Sequence, residues 1–212
     1  LSVHQQKTLR AIAHCRTSAL GGHIDVCDDC GVLRISYNSC RNRHCPKCQG
    51  HQQEVWIQQR VVDLLPCTYY HAVFTLPHQL HAITLQKPAQ IYAALFKAVW
   101  HTVQQFGKQA GLQMGMIAVL HTWGQQLSLH PHLHYIIPGG GIDGNGRWQK
   151  QLRSNKYLFS VKAMSKVFRA KYVQLLRQAN IADKGLINSL FEQDWVVYAK
   201  RPFGGPQQVI EY

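Results

Sequence analysis

The stretch Leu129-His-Pro-His-Leu-His-Tyr-Ile-Ile137 carries the densest chemical signal in this chain. Its apolar, β-branched second half predicts a β-strand that follows a polar turn. Side chains alternate between the two faces of a strand, so His132 and His134 point to one face and Leu133 to the other. One histidine in a strand is usually a hydrogen-bonded core residue. Two on one face, with His130 just before them, predict half of a metal site.

The third ligand of such a site has to come from a neighbouring element. Carboxylates are absent from this part of the chain except for Asp143, so the ligand must be His or Gln. His121 ends the preceding predicted strand and can lie across an antiparallel pair from His132. His130 and Gln125 are the alternatives. Three neutral ligands leave coordination positions open, and a cation held in this way can polarise a phosphate as a Lewis acid.

The charge balance indicates a polyanionic partner. The 212 residues contain 23 Lys and Arg but only 10 Asp and Glu, which gives a formal net charge of +13. The segment 144–182 has nine basic residues and no acid. Such a surface attracts nucleic acid first and anionic lipid second. The shortage of carboxylates excludes nucleases and transposases that hold two metal ions with several acidic side chains.

Length and hydropathy narrow the class of protein further. A hydrophobic content of 46% excludes a disordered chain, and 212 residues support one full domain with a small second one. No stretch approaches the ~18 apolar residues of a membrane span, and the N-terminus lacks the layout of a signal peptide. Because the chain starts at Leu1 rather than Met and stops at Tyr212, we expect an internal fragment of a longer protein.

The N-terminal region is rich in cysteine, with six of the seven cysteines in the first 48 residues. Cys27-Asp-Asp-Cys30 and Cys45-Pro-Lys-Cys48 are Cys-x-x-Cys pairs at the spacing of a zinc ribbon. Disulfides are the alternative, but they need an oxidising compartment and no secretory signal is present. A module of this size can hardly bury a core, so a metal must supply its folding free energy.

Eight candidate ligands in this region allow two zinc ions, and alternating pairs predict a cross-braced arrangement. The first predicted set is Cys27, Cys30, Cys45 and Cys48, and the second is Cys15, His23, Cys40 and His44. The second set has an alternative, in which Cys15 packs as a small apolar residue and His44 faces solvent.

Two groups of basic side chains suit contact with DNA phosphates. Arg41, Arg43 and Lys47 lie among the zinc ligands, and Lys162, Lys166 and Arg169 form one face of a predicted helix. In the alternative, both groups are ordinary solvated charges. The absence of a compensating Glu from that helix favours DNA.

The order of helices and strands predicts an α+β fold in which an antiparallel sheet packs with helices. Helices are predicted from Ser2 to about His14, over 52–65, from Pro88 to near Gly107 or Gly111, over 160–180 and from Gly204 onward. Strands are predicted over 69–76, 114–123, 132–138 and 195–200, with a hairpin through 139–146.

The candidate nucleophile for a bound phosphate is a tyrosine. No Ser-His-Asp arrangement is readable, and no Gly-rich loop precedes a Lys-Ser or Lys-Thr pair. Tyr212 remains, on the predicted last helix that follows Gly204-Gly-Pro206. A tyrosine near a bound cation can ionise to a phenolate and form a covalent phosphotyrosine.

Two sets of long motifs resemble a known family. The first is Cys15…Leu-Gly-Gly-His23…Cys27-x-x-Cys30-Gly…Tyr-Asn-Ser-Cys40-Arg-Asn-Arg-His44-Cys45-Pro-x-Cys48-Gln. The second is Phe74-Thr-Leu-Pro77, His121-Thr-Trp-Gly-Gln125, His130-Pro-His-Leu-His134 and Arg201-Pro-Phe-Gly-Gly-Pro206. Together they resemble the rolling-circle insertion-sequence transposases of the insertion-sequence-ninety-one type, which are HUH endonucleases. The likeness spans nearly the whole chain.

The resemblance implies a domain order and a set of catalytic residues. It implies a zinc-binding, DNA-binding domain at 1–50, a connecting helix at 51–68 and an HUH catalytic domain at 69–212. The two histidines of the family's signature map onto His132 and His134, and its first catalytic tyrosine maps onto Tyr212. Two-tyrosine members carry a second tyrosine four residues later, which falls beyond this chain.

The resemblance also implies an activity. It implies a transposase that cleaves and joins single-stranded DNA through a covalent 5′-phosphotyrosine, with structural zinc and with Mg²⁺ or Mn²⁺ on the histidines. The implied partners are single-stranded transposon ends and target DNA, with no membrane and no nucleotide cofactor. The implied location is the bacterial cytoplasm, in association with the nucleoid. The alternatives are a plasmid replication initiator or relaxase and a non-catalytic, zinc-dependent DNA-binding protein.

Overall fold

The computed structural model describes residues 1–124, 126, 128–150 and 158–199. The chain forms two compact units, of which the first is Leu1–Leu64 and the second starts at Leu65. The finer division predicted from the resemblance, with a separate connecting helix at 51–68, stays a prediction.

The first unit consists of two helices and a hairpin. Its elements are helix α1 (Val3–Ala13), strands β1 (Gly22–Val26) and β2 (Leu33–Tyr37), which pair antiparallel, and helix α2 (Pro46–Val62). Ser2 caps α1 as predicted, because its hydroxyl accepts the amide of Gln5 while the Gln5 side chain accepts the amide of Ser2. The start predicted for the second helix, at residue 52, is wrong. Pro46 occupies the first turn of α2, where its fixed φ favours a helix start.

This unit has almost no apolar interior. Cys15 and Cys45 are its only buried residues, while Ile24, Leu33 and Ile35 of the hairpin stay exposed. Packing of apolar side chains therefore contributes little to its stability, and this supports the prediction that a metal supplies its folding free energy.

The second unit is built on a four-stranded antiparallel sheet in the order β4-β5-β3-β8. Its strands are β3 (Tyr69–Thr75), β4 (Ile117–Trp123), β5 (Leu129–Pro138) and β8 (Val197–Ala199). The first three confirm strands predicted from the sequence, and β8 is a shorter form of the fourth. A smaller hairpin joins β6 (Gly140–Ile142) to β7 (Trp148–Lys150), in the region where a hairpin was predicted.

One face of this sheet is covered by helices. The helices of the unit are α3 (His81–Gln86), α4 (Pro88–Gln109), α5 (Val161–Gln178) and α6 (Lys184–Ser189). Phe74 and Leu133 of the sheet are buried in one cluster with Val99 of α4 and Phe168 of α5. Helices α4 and α5 confirm the helices predicted from Pro88 onward and over 160–180, while α3, α6 and the hairpin of the first unit were not predicted.

The strand period decides which residues face away from these helices. Because neighbours of Phe74 and Leu133 point to the opposite face, that face carries Val73, His132 and His134. The predicted α+β fold with an antiparallel sheet is confirmed. Within the described part of the chain, no helix combines the length and the apolar character that crossing a membrane requires.

Candidate functional site

Three histidines meet on the uncovered face of the sheet. Strands β4 and β5 pair in a register that places His121 directly opposite His132, and His134 follows two residues later on the same face. The ligand nitrogens of the three side chains all lie within 4.8 Å of one another. His121, which was the first choice for the third ligand, is therefore next to both other histidines. Of the two alternatives, His130 is not in the cluster and Gln125 lies outside the described residues.

Hydrogen bonds fix the rings of two of these histidines. The Nδ1 atom of His132 lies 2.6 Å from the backbone carbonyl oxygen of His130, to which it donates. The Nδ1 atom of His134 lies 2.9 Å from Nε2 of His71, a buried residue of β3. Both bonds engage Nδ1, so Nε2 is the ring atom through which each histidine would bind a metal ion. A partner on the second ring nitrogen is the usual arrangement for histidine ligands in proteins.

The surroundings favour the neutral form that a metal ligand needs. Burial, and then the neighbouring His132, lowers the pKa of His121. Burial also lowers the pKa of His130, with smaller effects from His132 and His81. A neutral imidazole keeps a lone pair available for a cation at neutral pH.

The histidine cluster lies in a cleft of about 760 Å³. The side chains that line it include Val73, Thr75, Trp123, Ser128 and His130. The described lining residues contain no Lys, Arg, Asp or Glu. The donor set is thus three imidazole nitrogens without a carboxylate, which suits Mn²⁺ and later transition metals better than Mg²⁺, a cation that prefers oxygen. The residues present fit a divalent cation with open coordination positions.

A second cluster in the first unit consists of four thiols. The sulfur atoms of Cys15, Cys40, Cys45 and Cys48 all lie within 4.8 Å of one another. The Cys48 sulfur is 3.5 Å from that of Cys15 and 3.7 Å from that of Cys40. Four sulfurs at the ordinary zinc–sulfur distance form a tetrahedron with edges of about 3.8 Å. The four cysteines therefore fit one tetrahedral zinc ion.

Local structure explains why these thiols meet. Cys45 caps helix α2 and Cys48 lies in its first turn, so the two face the same side of the helix. Arg16, next to Cys15, bonds its amide to the carbonyl of Asn38, and the amide of Cys40 donates to the Cys15 sulfur. These bonds hold Cys15 and Cys40 at the open end of the β1–β2 hairpin.

The surroundings of the four thiols change the pKa of Cys45 and that of Cys40 in opposite directions. Burial opposes ionisation of Cys45, but the Cys48 amide and the three neighbouring thiols outweigh it and lower the pKa of Cys45 to about 7. The amide of Asn42 favours the thiolate of Cys40, but burial and the thiols of Cys15, Cys45 and Cys48 together raise the pKa of Cys40 to about 12. Cys45 thus ionises before Cys40, and a bound metal must displace the proton of Cys40.

The structure does not form the two zinc sets predicted from the sequence. Cys27 and Cys30 flank the turn of the hairpin, whereas Cys15 and Cys40 lie at its open end. Strands of five residues separate the two ends by about 17 Å, too far for one zinc ion. The prediction paired the cysteines by their order in the chain. In the structure, the first turn of α2 brings Cys45 and Cys48 together, and they meet the cysteines at the open end of the hairpin.

The other predicted ligands lie outside the four-thiol cluster. His23 is exposed and lies 3.7 Å from the carboxylate of Asp25. His44 is exposed and accepts a hydrogen bond from Nε of Arg43 at 3.3 Å. The Cys27 pKa is lowered by the backbone amide and thiol of Cys30 and then by the amide of Asp29.

The predicted DNA-contacting residues differ in whether their side chains are exposed or bonded to other parts of the protein. Arg41, Arg43, Lys162 and Lys166 are exposed. Lys47 donates to the backbone carbonyl of Cys15 at 3.3 Å. Arg169 donates to the carbonyl of Gln193 at 2.9 Å and lies over the ring of Phe191, 5.1 Å from its centroid. The guanidinium of Arg169 therefore fastens α5 to the segment that follows α6, instead of facing solvent with the two lysines.

Two further residues of the site were missed by sequence reasoning. His71 occupies a predicted strand, but a single histidine among aromatic residues gave no sign of a partner 63 residues away. Trp123 closes β4 two residues after His121 and lines the cleft. Tyr212, the predicted nucleophile, lies outside the described residues, as does the predicted last helix.

Family models match most of the chain. Residues 1–76 match a model described as "Transposase zinc-binding domain", and residues 115–212 match one described as "Putative transposase".

Two curated proteins are similar to the chain. One, from Sinorhizobium fredii, is named "Putative transposase y4qJ" and is 40% identical over 232 aligned residues, which cover 100% of this chain and 58% of that protein. The other, from Pseudomonas savastanoi pv. phaseolicola, is named "Transposase for insertion sequence element IS801" and is 32% identical over 145 residues, or 68% of this chain and 35% of that protein. The chain therefore spans only part of each relative.

Among solved structures, the chain is similar to the conjugative relaxase TrwC in complex with oriT DNA, in a metal-bound form. The TM-score is 0.41 and the identity 15%, with 53% of this chain and 44% of that chain covered. The likeness is distant.

Proposed function

This chain belongs to the IS91-type insertion-sequence transposases, and from that premise we propose that it cuts and rejoins single-stranded DNA at the histidine cluster. The observation that supports this most is the cluster itself. Three imidazoles with converging nitrogens lie in a cleft on the uncovered face of an antiparallel sheet, in a strongly basic chain. A structural histidine cluster would not require an adjacent cleft wide enough for a nucleotide.

The cation site consists of His121, His132 and His134. A divalent cation bound there supplies Lewis-acid polarisation of the scissile phosphate. The protein contributes the ring orientations, which the His71 and His130 hydrogen bonds fix in advance. Such preorganisation holds the phosphate in one position relative to the attacking group. From the donor set we infer that Mn²⁺ supports the reaction better than Mg²⁺.

The proposed nucleophile is Tyr212. Its phenolate oxygen attacks the phosphorus, and the bond from phosphorus to the 3′-oxygen of the preceding nucleotide breaks. That oxygen takes up a proton and leaves as a 3′-hydroxyl, while the 5′-phosphate stays on the tyrosine. In the joining step a 3′-hydroxyl attacks the phosphotyrosine, which restores the phosphodiester and releases the tyrosine.

The remaining basic groups have a binding role in this proposal. The four-thiol cluster holds the first unit in shape, and the exposed Arg41 and Arg43 next to it contact phosphates. Lys162 and Lys166 add a second phosphate-contacting group on α5. These contacts are independent of sequence, so they position the strand without selecting it.

A cleavage assay tests the proposal. The full-length protein is incubated with Mn²⁺ and with labelled single strands that span each end of its own insertion sequence, and the products are separated on a denaturing gel. We expect site-specific cleavage by the wild type and by His101→Ala, a control that removes an exposed histidine of α4. We expect no cleavage by His132→Ala or His134→Ala.

Each other outcome has a definite meaning. Cleavage that survives both histidine substitutions contradicts the proposed cation site. Specific binding of the strands without any cleavage favours a non-catalytic DNA-binding protein. Cleavage only at a plasmid origin, and not at the element's ends, favours a replication initiator or relaxase.

A further inference from the structure

Trp123 is a large aromatic side chain that stays half exposed beside the histidine cluster. It is 51% exposed although the ring of His121 covers one of its faces, with centroids 5.4 Å apart and planes 11° from parallel. An exposed aromatic side chain is informative when it lines a cleft rather than open surface. Its position in the lining of the cleft points to a ligand there.

The pairing of β4 with β5 is irregular at this side chain. The register of β4 against β5 shifts between His121 and Trp123, so that Trp123 pairs with Leu129 while His121 pairs with His132. An irregularity of this kind re-aims a side chain at the end of a strand.

The chemistry of the cleft limits what else can hold a polynucleotide. The described side chains of the lining include no Lys, Arg, Asp or Glu. A phosphate in the cleft can therefore be held by the cation site but not by an ion pair with the described walls. The hydroxyls of Thr75 and Ser128 can add hydrogen bonds, and the planar, apolar indole of Trp123 suits the π-face of a base.

We propose, on the basis of the function proposed above, that Trp123 is a stacking platform for the nucleobase next to the phosphate at the histidine cluster. His121 then has two roles. One ring nitrogen faces the cation site, while its ring plane backs the indole and holds it parallel to an incoming base. A base stacked at this position fixes the adjacent phosphate against the histidines.

The test measures binding of two probes of equal charge to the full-length protein with Mn²⁺. One probe is a 16-nucleotide thymidine single strand, and the other is a 16-unit abasic strand with the same sugar–phosphate backbone. Homopolymers make the result independent of the recognised sequence. The variants are Trp123→Ala and Trp123→Phe, with Trp100→Ala as the matched control. Trp100 is a half-exposed tryptophan of α4, 37% exposed.

We expect Trp123→Ala to bind the thymidine strand about 5- to 150-fold more weakly than the wild type, the range found for loss of one stacked base. The same variant should bind the abasic strand as the wild type does. Trp123→Phe should keep most of the affinity, and Trp100→Ala should lose none. Quenching of tryptophan fluorescence by the thymidine strand should be smaller in Trp123→Phe than in the wild type, because one of the quenched indoles is gone.

Two other results would contradict the stacking proposal. If Trp123→Ala weakens both probes by the same factor, the indole has a structural role and the stacking proposal is wrong, while the proposed function stands. If the wild type binds neither probe, the proposed function itself fails and takes the stacking proposal with it. Unchanged Mn²⁺ affinity and melting temperature in the variants exclude a folding defect as the cause.

Discussion

Replacement of His71 by Phe is the most informative perturbation of the cation site. His71 is 1% exposed, and its Nε2 atom lies 2.9 Å from Nδ1 of His134. For Nε2 of His134 to bind a cation, its Nδ1 must carry the proton and donate it to His71. Phe keeps an aromatic ring at residue 71, although a slightly larger one, and removes the acceptor. The ring of His134 then loses the bond that fixes its tautomer and orientation.

The expected cost follows from this one bond. Loss of the partner of a metal-ligating histidine typically weakens metal binding by about 10- to 100-fold, equivalent to about 1.4–2.7 kcal/mol. We expect the Mn²⁺ affinity of His71→Phe to be lower than that of the wild type by a factor within that range. The affinity is measured by isothermal titration calorimetry on the full-length protein. His134→Ala removes the ligand itself and should lose more.

A matched variant separates the hydrogen bond from packing. His71→Gln keeps an acceptor oxygen near the position of Nε2, so it should recover most of the Mn²⁺ affinity. The reasoning is refuted if His71→Phe binds Mn²⁺ as tightly as the wild type while His134→Ala does not. It is also refuted if Gln and Phe lose the same affinity, since that would indicate a packing role for the buried ring.

Four further predictions concern the zinc unit and helix α5. Cys48→Ser should release zinc and unfold the first unit, whereas Cys27→Ser should retain the zinc of the four-thiol cluster, as measured by metal analysis and circular dichroism. Acid should release this zinc: a fall in pH below about 7, the pKa of Cys45, protonates the Cys45 thiolate, so a zinc-release titration should show affinity falling as pH falls. Lys166→Gln should weaken single-strand binding and reduce the slope of log affinity against log salt by about 1, without a change in melting temperature. Arg169→Gln should instead lower the melting temperature, because it removes the bond to the Gln193 carbonyl.

The cation site was largely predictable because it depends on strand geometry. A period of two placed His132 and His134 on one face, and an antiparallel pairing placed His121 opposite His132, as the register shows. The scarcity of carboxylates narrowed the third ligand to His or Gln. The role of His71 could not be predicted, because its contact with His134 depends on the strand order. The sheet places β3 beside β5 although the two strands are far apart in the sequence.

The cysteine grouping was not predictable from spacing alone. Both Cys-x-x-Cys pairs look alike in sequence, yet one flanks a hairpin turn and the other opens a helix. Pro46 was the local signal that distinguished them, because proline favours the first turn of a helix. A helix start at Pro46 places Cys45 and Cys48 on one side of the first turn of α2. In the structure, that side meets Cys15 and Cys40 at the open end of the hairpin.

The measurement that tests the central claim most directly is identification of the residue bonded to DNA. The full-length protein is reacted with Mn²⁺ and a single strand from its element's end, digested, and analysed by mass spectrometry for a peptide that carries a nucleotide. The account predicts one modified peptide, with the 5′-phosphate of the DNA on the oxygen of Tyr212. Cleavage with no covalent adduct, or an adduct on a residue other than a tyrosine, would contradict it.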